Sequence, residues 1–138
     1  MILGFASNPR ALFLDPPRAD GWDEQRLLNL RDALYAMVEG EWDQAEKVLM
    51  QSPEHALGDA SILNLLGIVH QARRQWKQAR RFYGRAMKAD RQYAPAEQNL
   101  RRFYELHTFG STTLPIAFID PATACKVQSR FGNPILRQ

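Results

Sequence analysis

Apolar and small residues recur every three or four positions through the middle of the chain. Leu30, Leu34 and Val38 stand four apart, with Leu27 and Met37 beside them. That spacing is one face of a helix, predicted over 26–39, with Gly40 as its C-terminal stop. A second helix follows from Trp42 to Met50, ended by Ser52-Pro53. A third is predicted over 60–73 behind Asp59 as N-cap, and a fourth over 76–90. The fifth starts at Ala94, tolerates Pro95 in its first turn, runs to Leu106, and has Gly110 just beyond. Short connections between them suit antiparallel helix hairpins.

The pattern repeats. Trp42 and Trp76 lie 34 residues apart, as do Gln44 and Gln78, and Ala45 and Ala79. At the same offset Leu30 aligns with Asn64, Leu34 with Ile68, and Val38 with Ala72. The unit is therefore two helices with their turns, a length that marks a stacked helical array. Within it, Leu66-Gly67 fall midway along a first helix, with Ala33 one period earlier; Ala79, Tyr83 and Ala86 punctuate a second helix. Ala45, Leu49 and Ser52 occupy the matching places in the earlier unit.

In these residues, over 26–107, the chain resembles the tetratricopeptide repeat family. The resemblance implies an all-α, right-handed superhelical array of antiparallel helix hairpins. Its units are 26–59 and 60–93, closed by a capping helix at 94–107. Residues 1–25 and 108–138 are then non-repeat extensions. Trp42, Ala45, Gly67, Trp76, Ala79, Tyr83 and Ala86 are the structural set: small residues where helices cross, large ones between hairpins. The resemblance also implies a concave groove for a peptide or partner protein, lined by the first helix of each unit. Carried across, its positions are Leu27, Leu30, Leu34, Met37 and Val38, then Ser61, Asn64, Ile68, Gln71 and Ala72. The fifth helix adds Gln98, Arg102, Glu105 and Leu106, of which Arg102 and Glu105, with Arg101, alternatively face solvent.

The extensions carry their own patterns. Phe5, Leu12, Phe13 and Leu14, ahead of Pro16-Pro17, suit an extended cover over the first hairpin, which would hide Leu27, Leu34 and Val38 from any partner. Leu114 to Ile119 form a short apolar run that Pro115 disqualifies as a central strand. That run can close the array, occupy its groove, or dock on a partner. Asp120-Pro121 reads as N-cap and first residue of a sixth short helix.

Charge changes the picture more than composition does. The 138 residues include 18 Lys+Arg, 15 Asp+Glu and one Cys, for a net +3. The single Cys leaves no internal disulfide and no thiolate-rich metal site. No apolar run is long enough for a membrane helix, and MILGFASNPR lacks the form of a secretory leader, so the expected location is cytoplasmic. Residues 1–69 hold 5 basic against 11 acidic side chains, a balance of −6; residues 70–138 hold 13 against 4, a balance of +9. Opposite ends of this kind can steer a partner or a second copy of the chain. Arg73, Arg74, Lys77, Arg80, Arg81, Arg85, Lys88 and Arg91 concentrate the excess, and Lys77, Arg81, Arg85 and Lys88 fall on one helical stripe.

The sequence shows no catalytic constellation. His55, His70 and His107 have no metal-ligand spacing between them, Cys125 has no oriented His, and no phosphate-cradling glycine run occurs. Glu39, Glu41, Asp43 and Glu46 lack calcium-loop spacing. No catalytic residue, cofactor or metal is expected. The expectation is a non-enzymatic interaction module, an adaptor or small chaperone, binding through the groove or the basic face. The alternative is a nucleic-acid-associated helical module using the fourth and fifth helices.

Overall fold

The computed structural model describes residues 16–51 and 58–131, with side chains from residue 24 onward. Six α-helices lie within them: α1 Pro16–Val38, α2 Trp42–Met50, α3 Ala60–Ala72, α4 Trp76–Ala89, α5 Ala94–Phe109 and α6 Pro121–Phe131. α1 packs on α2, α2 on α3, α3 on α4 and α4 on α5, while α3 also reaches α5 and α6 returns to α1. Among the described residues the regular structure is therefore all-helical, with its helices in successive pairwise contact.

The turns show why the helices stop where they do. After α1, Gly40 takes φ 76°, its N–H donates to the Met37 carbonyl, and the Glu41 N–H donates to Ala36. After α3 the same turn recurs 34 residues on: Arg74 takes φ 63°, its N–H donates to Gln71, and the Gln75 N–H donates to His70. Left-handed backbone suits glycine, so Arg74 holds a conformation its Cβ disfavours. α3 starts on Asp59, whose carboxylate accepts the Ser61 N–H at 2.8 Å, as its N-cap position predicts. Arg26 of α1 grips the same carboxylate and also donates to Ser61 Oγ, tying the two helix pairs together.

α3 is the centre of the core: every residue from Ser61 to His70 is buried. Apolar side chains on all of its sides require neighbours on all of its sides, and α1, α2, α4 and α5 supply them. Full burial of a Leu or Ile stabilises by about 1.5–3 kcal/mol. α4 is the opposite case, burying only Ala79, Tyr83 and Ala86 along one stripe. The Tyr83 ring crosses directly over Gly67, where an added Cβ would lie 2.5 Å from Cε1. Ala45 is fully buried on α2.

Two expectations are corrected. The N-terminal residues 16–25 are helical, continuing α1 backward, rather than extended. Pro16 and Pro17 permit this because the first N–H groups of a helix have no internal acceptor. The longer α1 gives α6 a surface: Arg130 pairs with Glu24, and the Arg31 guanidinium lies 4.7 Å from the Phe131 ring centroid. Phe5, Leu12, Phe13 and Leu14 lie outside the described residues, as do His55 and the Ser52-Pro53 stop. Second, the predicted pairing of Trp42 with Trp76 as like residues does not extend to burial. Trp42 is half-buried, whereas Trp76 is 40% exposed and meets Phe103 and His107 edge-on.

Candidate functional site

Polar side chains of α3 and α5 converge on the segment 111–120, which forms neither helix nor strand. On α5, Ala96, Asn99 and Phe103 form the buried stripe, so an amide sits where the pattern calls for an apolar residue. On α3, Asn64 is equally enclosed. Asn99 Nδ2 donates to Asn64 Oδ1 at 2.8 Å, so the two amides orient each other.

Both then read main chain. Asn99 Oδ1 accepts the Ala117 N–H at 2.9 Å, and its Nδ2 donates to the Ala117 carbonyl at 2.7 Å. Asn64 Nδ2 donates to the carbonyls of Ala117 and Phe118 at 3.0 and 3.1 Å. Gln98 holds the Pro115 carbonyl at 2.8 Å, and Arg102 Nε holds that of Leu114 at 3.0 Å. Thr112 donates to Glu105 at 2.5 Å. Arg102 and Glu105 thus anchor this strap rather than face solvent; Arg101 is exposed. Phe118 and Ile119 pack on the core cluster that contains Leu30, Leu34 and Met37.

The strap ends in a built cap. Asp120 accepts the N–H and the hydroxyl of Thr123, at 3.0 and 2.9 Å, and α6 begins at Pro121. Burial disfavours the Asp120 carboxylate, but hydrogen bonds from Thr123, Tyr93 and its own backbone together outweigh it and hold the group below its ordinary value. Burial pushes the Tyr83 and Tyr93 hydroxyls well above the usual tyrosine value. Tyr83 donates to Gln71 at 2.7 Å; the Tyr93 hydroxyl sits against Ser61 and Asp120.

The groove positions therefore divide. Asn64, Gln98 and Arg102 meet on the strap. Leu27, Leu30, Leu34 and Met37 are buried core residues, Val38 is half-buried, and Ser61 is buried beneath Arg26. Ile68, Gln71, Ala72 and Leu106 border a cavity of about 240 Å³ beside the strap, shared with Trp42, Trp76 and Ile116. Asn99, which like Asn64 makes two hydrogen bonds to the strap, is absent from the sequence-derived set. Its signal was a polar side chain on an apolar helical stripe.

The basic residues also divide. Arg73 is not free: from the C-terminal end of α3 it binds Glu46 at 2.7 Å and Asp43 at 2.5 Å on α2, and the Glu46 bond chiefly raises its pKa. Arg74, Lys77, Arg80, Arg81, Arg85, Lys88 and Arg91 are exposed and make no ion pair with any described residue. His70 is buried, stacked on Phe82 at 5.1 Å and bonded to Gln75 at 2.5 Å. Cys125 is exposed. Among the described residues no group of three or more His, Cys, Asp or Glu is placed to hold a metal, and no helix is long and apolar enough to cross a membrane.

No family model matches the chain. It is 36% identical over 70 residues to the uncharacterized protein ycf37 of Porphyra purpurea, a stretch covering 51% of this chain and 40% of that relative. The chain thus spans less than half the length of the relative it matches. No solved structure matches. The likeness to ycf37 and the succession of packed helix pairs support a place for the chain among helical-repeat proteins in the broad sense.

Proposed function

We propose that this chain is a non-enzymatic protein-interaction module of tetratricopeptide type, and that it meets an acidic partner protein through the outer face of α4. The observation that carries this reading is the set of exposed cations from Arg74 to Arg91 without an ion partner among the described residues. Lys77, Arg81, Arg85 and Lys88 share one stripe, and like charges at such spacing oppose each other by a few tenths of a kcal/mol per pair. An acidic surface would offset that repulsion and gain rate from long-range attraction. The recurring left-handed turn and the crossing of Tyr83 over Gly67 support the repeat reading. The strap on Asn64 and Asn99 supports placing the contact outside the groove, since it already fills the α3–α5 side.

The test is affinity purification of the tagged chain beside a Lys77→Glu/Arg81→Glu/Arg85→Glu variant, with nuclease treatment. Expected is a co-purifying acidic protein that survives nuclease, elutes as salt rises, and is lost with the variant. Retention of RNA or DNA at physiological salt, lost in the same variant, would instead favour the nucleic-acid reading. Identical partners for both chains would overturn the outer face as the site.

A further inference from the structure

We infer that the acidic partner lays a helix across α4 at Gly84, so closely that any side chain at that position would hold it off. This rests on the reading that the outer face of α4 is the contact surface, and it specifies the partner element that fits there.

Gly84 lies in the interior of α4, more than a turn from either end. Glycine weakens a helix at such a position, because it loses more backbone freedom on folding than any other residue. Three other glycines answer to the chain itself. Gly40 and Gly110 take left-handed backbone after α1 and α5, and Gly67 makes room for the Tyr83 ring. Gly84 does neither. Its φ is not positive, and a Cβ added there would meet no atom within 4 Å. The space above it is open, and Gly84 is exposed. Nothing within the described chain requires this glycine, so the requirement comes from a body outside it.

Charge surrounds that space. On a helix surface the neighbours of a residue stand three and four positions away. For Gly84 they are Arg81 and Met87, and Arg80 and Lys88. The three cations are exposed and make no ion pair with any described residue, while Met87 is half-buried. Gly84 is thus a gap in the cationic face, floored by backbone and bordered by long side chains. From Lys77 to Lys88 the face runs about 16 Å along α4, roughly three turns of a facing helix. Carboxylates on either side of a small residue of that helix would reach Arg80, Arg81 and Lys88 and offset their mutual repulsion. Glycine at the crossing lets the two backbones come nearer than the usual separation of about 8–10 Å and adds van der Waals contact. Cations alone would serve any polyanion. The gap selects an acidic helix with a small residue at its centre.

The experiment uses the full chain and a fluorescent, stapled helical peptide of about five turns. The peptide carries one alanine at its centre and glutamates three and four positions to either side. Polyglutamate of equal charge is the second probe. Wild type is compared with Gly84→Ala and with Gly84→Val, whose branched side chain cannot swing aside. Expected is helical-peptide binding about 10- to 100-fold weaker in Gly84→Val and less weakened in Gly84→Ala, with polyglutamate binding unchanged in both. Gly84→Ala should also raise the melting temperature of the free chain by about 3–8 °C, which separates weaker binding from loss of fold. A lower melting temperature would reveal a contact at Gly84 inside the chain and overturn the inference. Unchanged peptide binding by Gly84→Val, with binding lost in Lys77→Glu/Arg81→Glu/Arg85→Glu, would overturn the crossing at Gly84 and leave the outer face standing. Peptide binding that survives the charge variant would overturn the outer face and the crossing with it. Wild type that holds the helical peptide no more tightly than polyglutamate would overturn the helix as the element recognised.

Discussion

Gly67→Ala isolates the closest approach in the fold. The new Cβ would lie 2.5 Å and 2.6 Å from Tyr83 Cε1 and Cδ1, and 3.1 Å from Cζ. Carbon atoms rest at about 3.5–4.0 Å, so ring and helix must part by roughly 1 Å. Tyr83 has little room to yield: it is 1% exposed, and its hydroxyl is held by Gln71. Overpacking of this kind costs about 1–3 kcal/mol, and strain on the hydroxyl bond adds about 1 kcal/mol. Against this, alanine gains about 1 kcal/mol over glycine within a helix. The net is a loss of about 1–3 kcal/mol, or a melting temperature lower by roughly 3–12 °C for a chain of this size. Thermal circular dichroism measures it. Tyr83→Leu removes the ring edge, so in that background Gly67→Ala should cost much less, revealing the propensity gain. A higher melting temperature for Gly67→Ala alone would refute the packing of α4 on α3 described above.

Other substitutions test other levels of the argument. Arg74→Gly should stabilise by about 0.5–1 kcal/mol, because glycine adopts the φ of 63° without its Cβ penalty; an unchanged denaturant midpoint would speak against the turn. Asp120→Ala should cost about 1 kcal/mol through loss of the α6 cap, with earlier exchange of the Thr123 amide as its local sign. Tyr83 and Tyr93 are held above the ordinary tyrosine value of 10.0 by burial, so their contribution is complete below about pH 10 and declines as pH rises beyond it, when the unfolded chain ionises first. Alkaline unfolding with delayed phenolate absorbance would bear this out; phenolate appearing for all tyrosines near pH 10 in the folded chain would contradict it.

Local rules carried far in this chain. Helix faces are visible wherever apolar spacing is regular, and Asp59, Gly40 and Asp120 mark ends because capping and left-handed turns depend on a few adjacent atoms. The 34-residue offset is visible in Trp42 and Trp76, Gln44 and Gln78, and Ala45 and Ala79, and the structure adds that Gly40 and Arg74 end their helices in the same turn. The start of α1 at Pro16 was less legible, and Glu24 within it pairs with Arg130 of α6 from the far end of the sequence.

The groove shows the limit of such reading. Leu30 and Leu34 carry the spacing of a lining, but spacing cannot report what encloses them: they belong to a buried cluster on which Phe118 and Ile119, 84 or more positions later, pack. Arg73 belongs to the basic run by sequence yet is neutralised by Asp43 and Glu46, because ion pairing is decided by which helices pack together. By itself the sequence determined the helices, their turns and the split of charge, all of which follow from neighbouring residues. Only the tertiary structure decided that Asn99 and Asn64 face one strap and that the cations of α4 stand open, because those facts depend on distances between residues far apart in the chain.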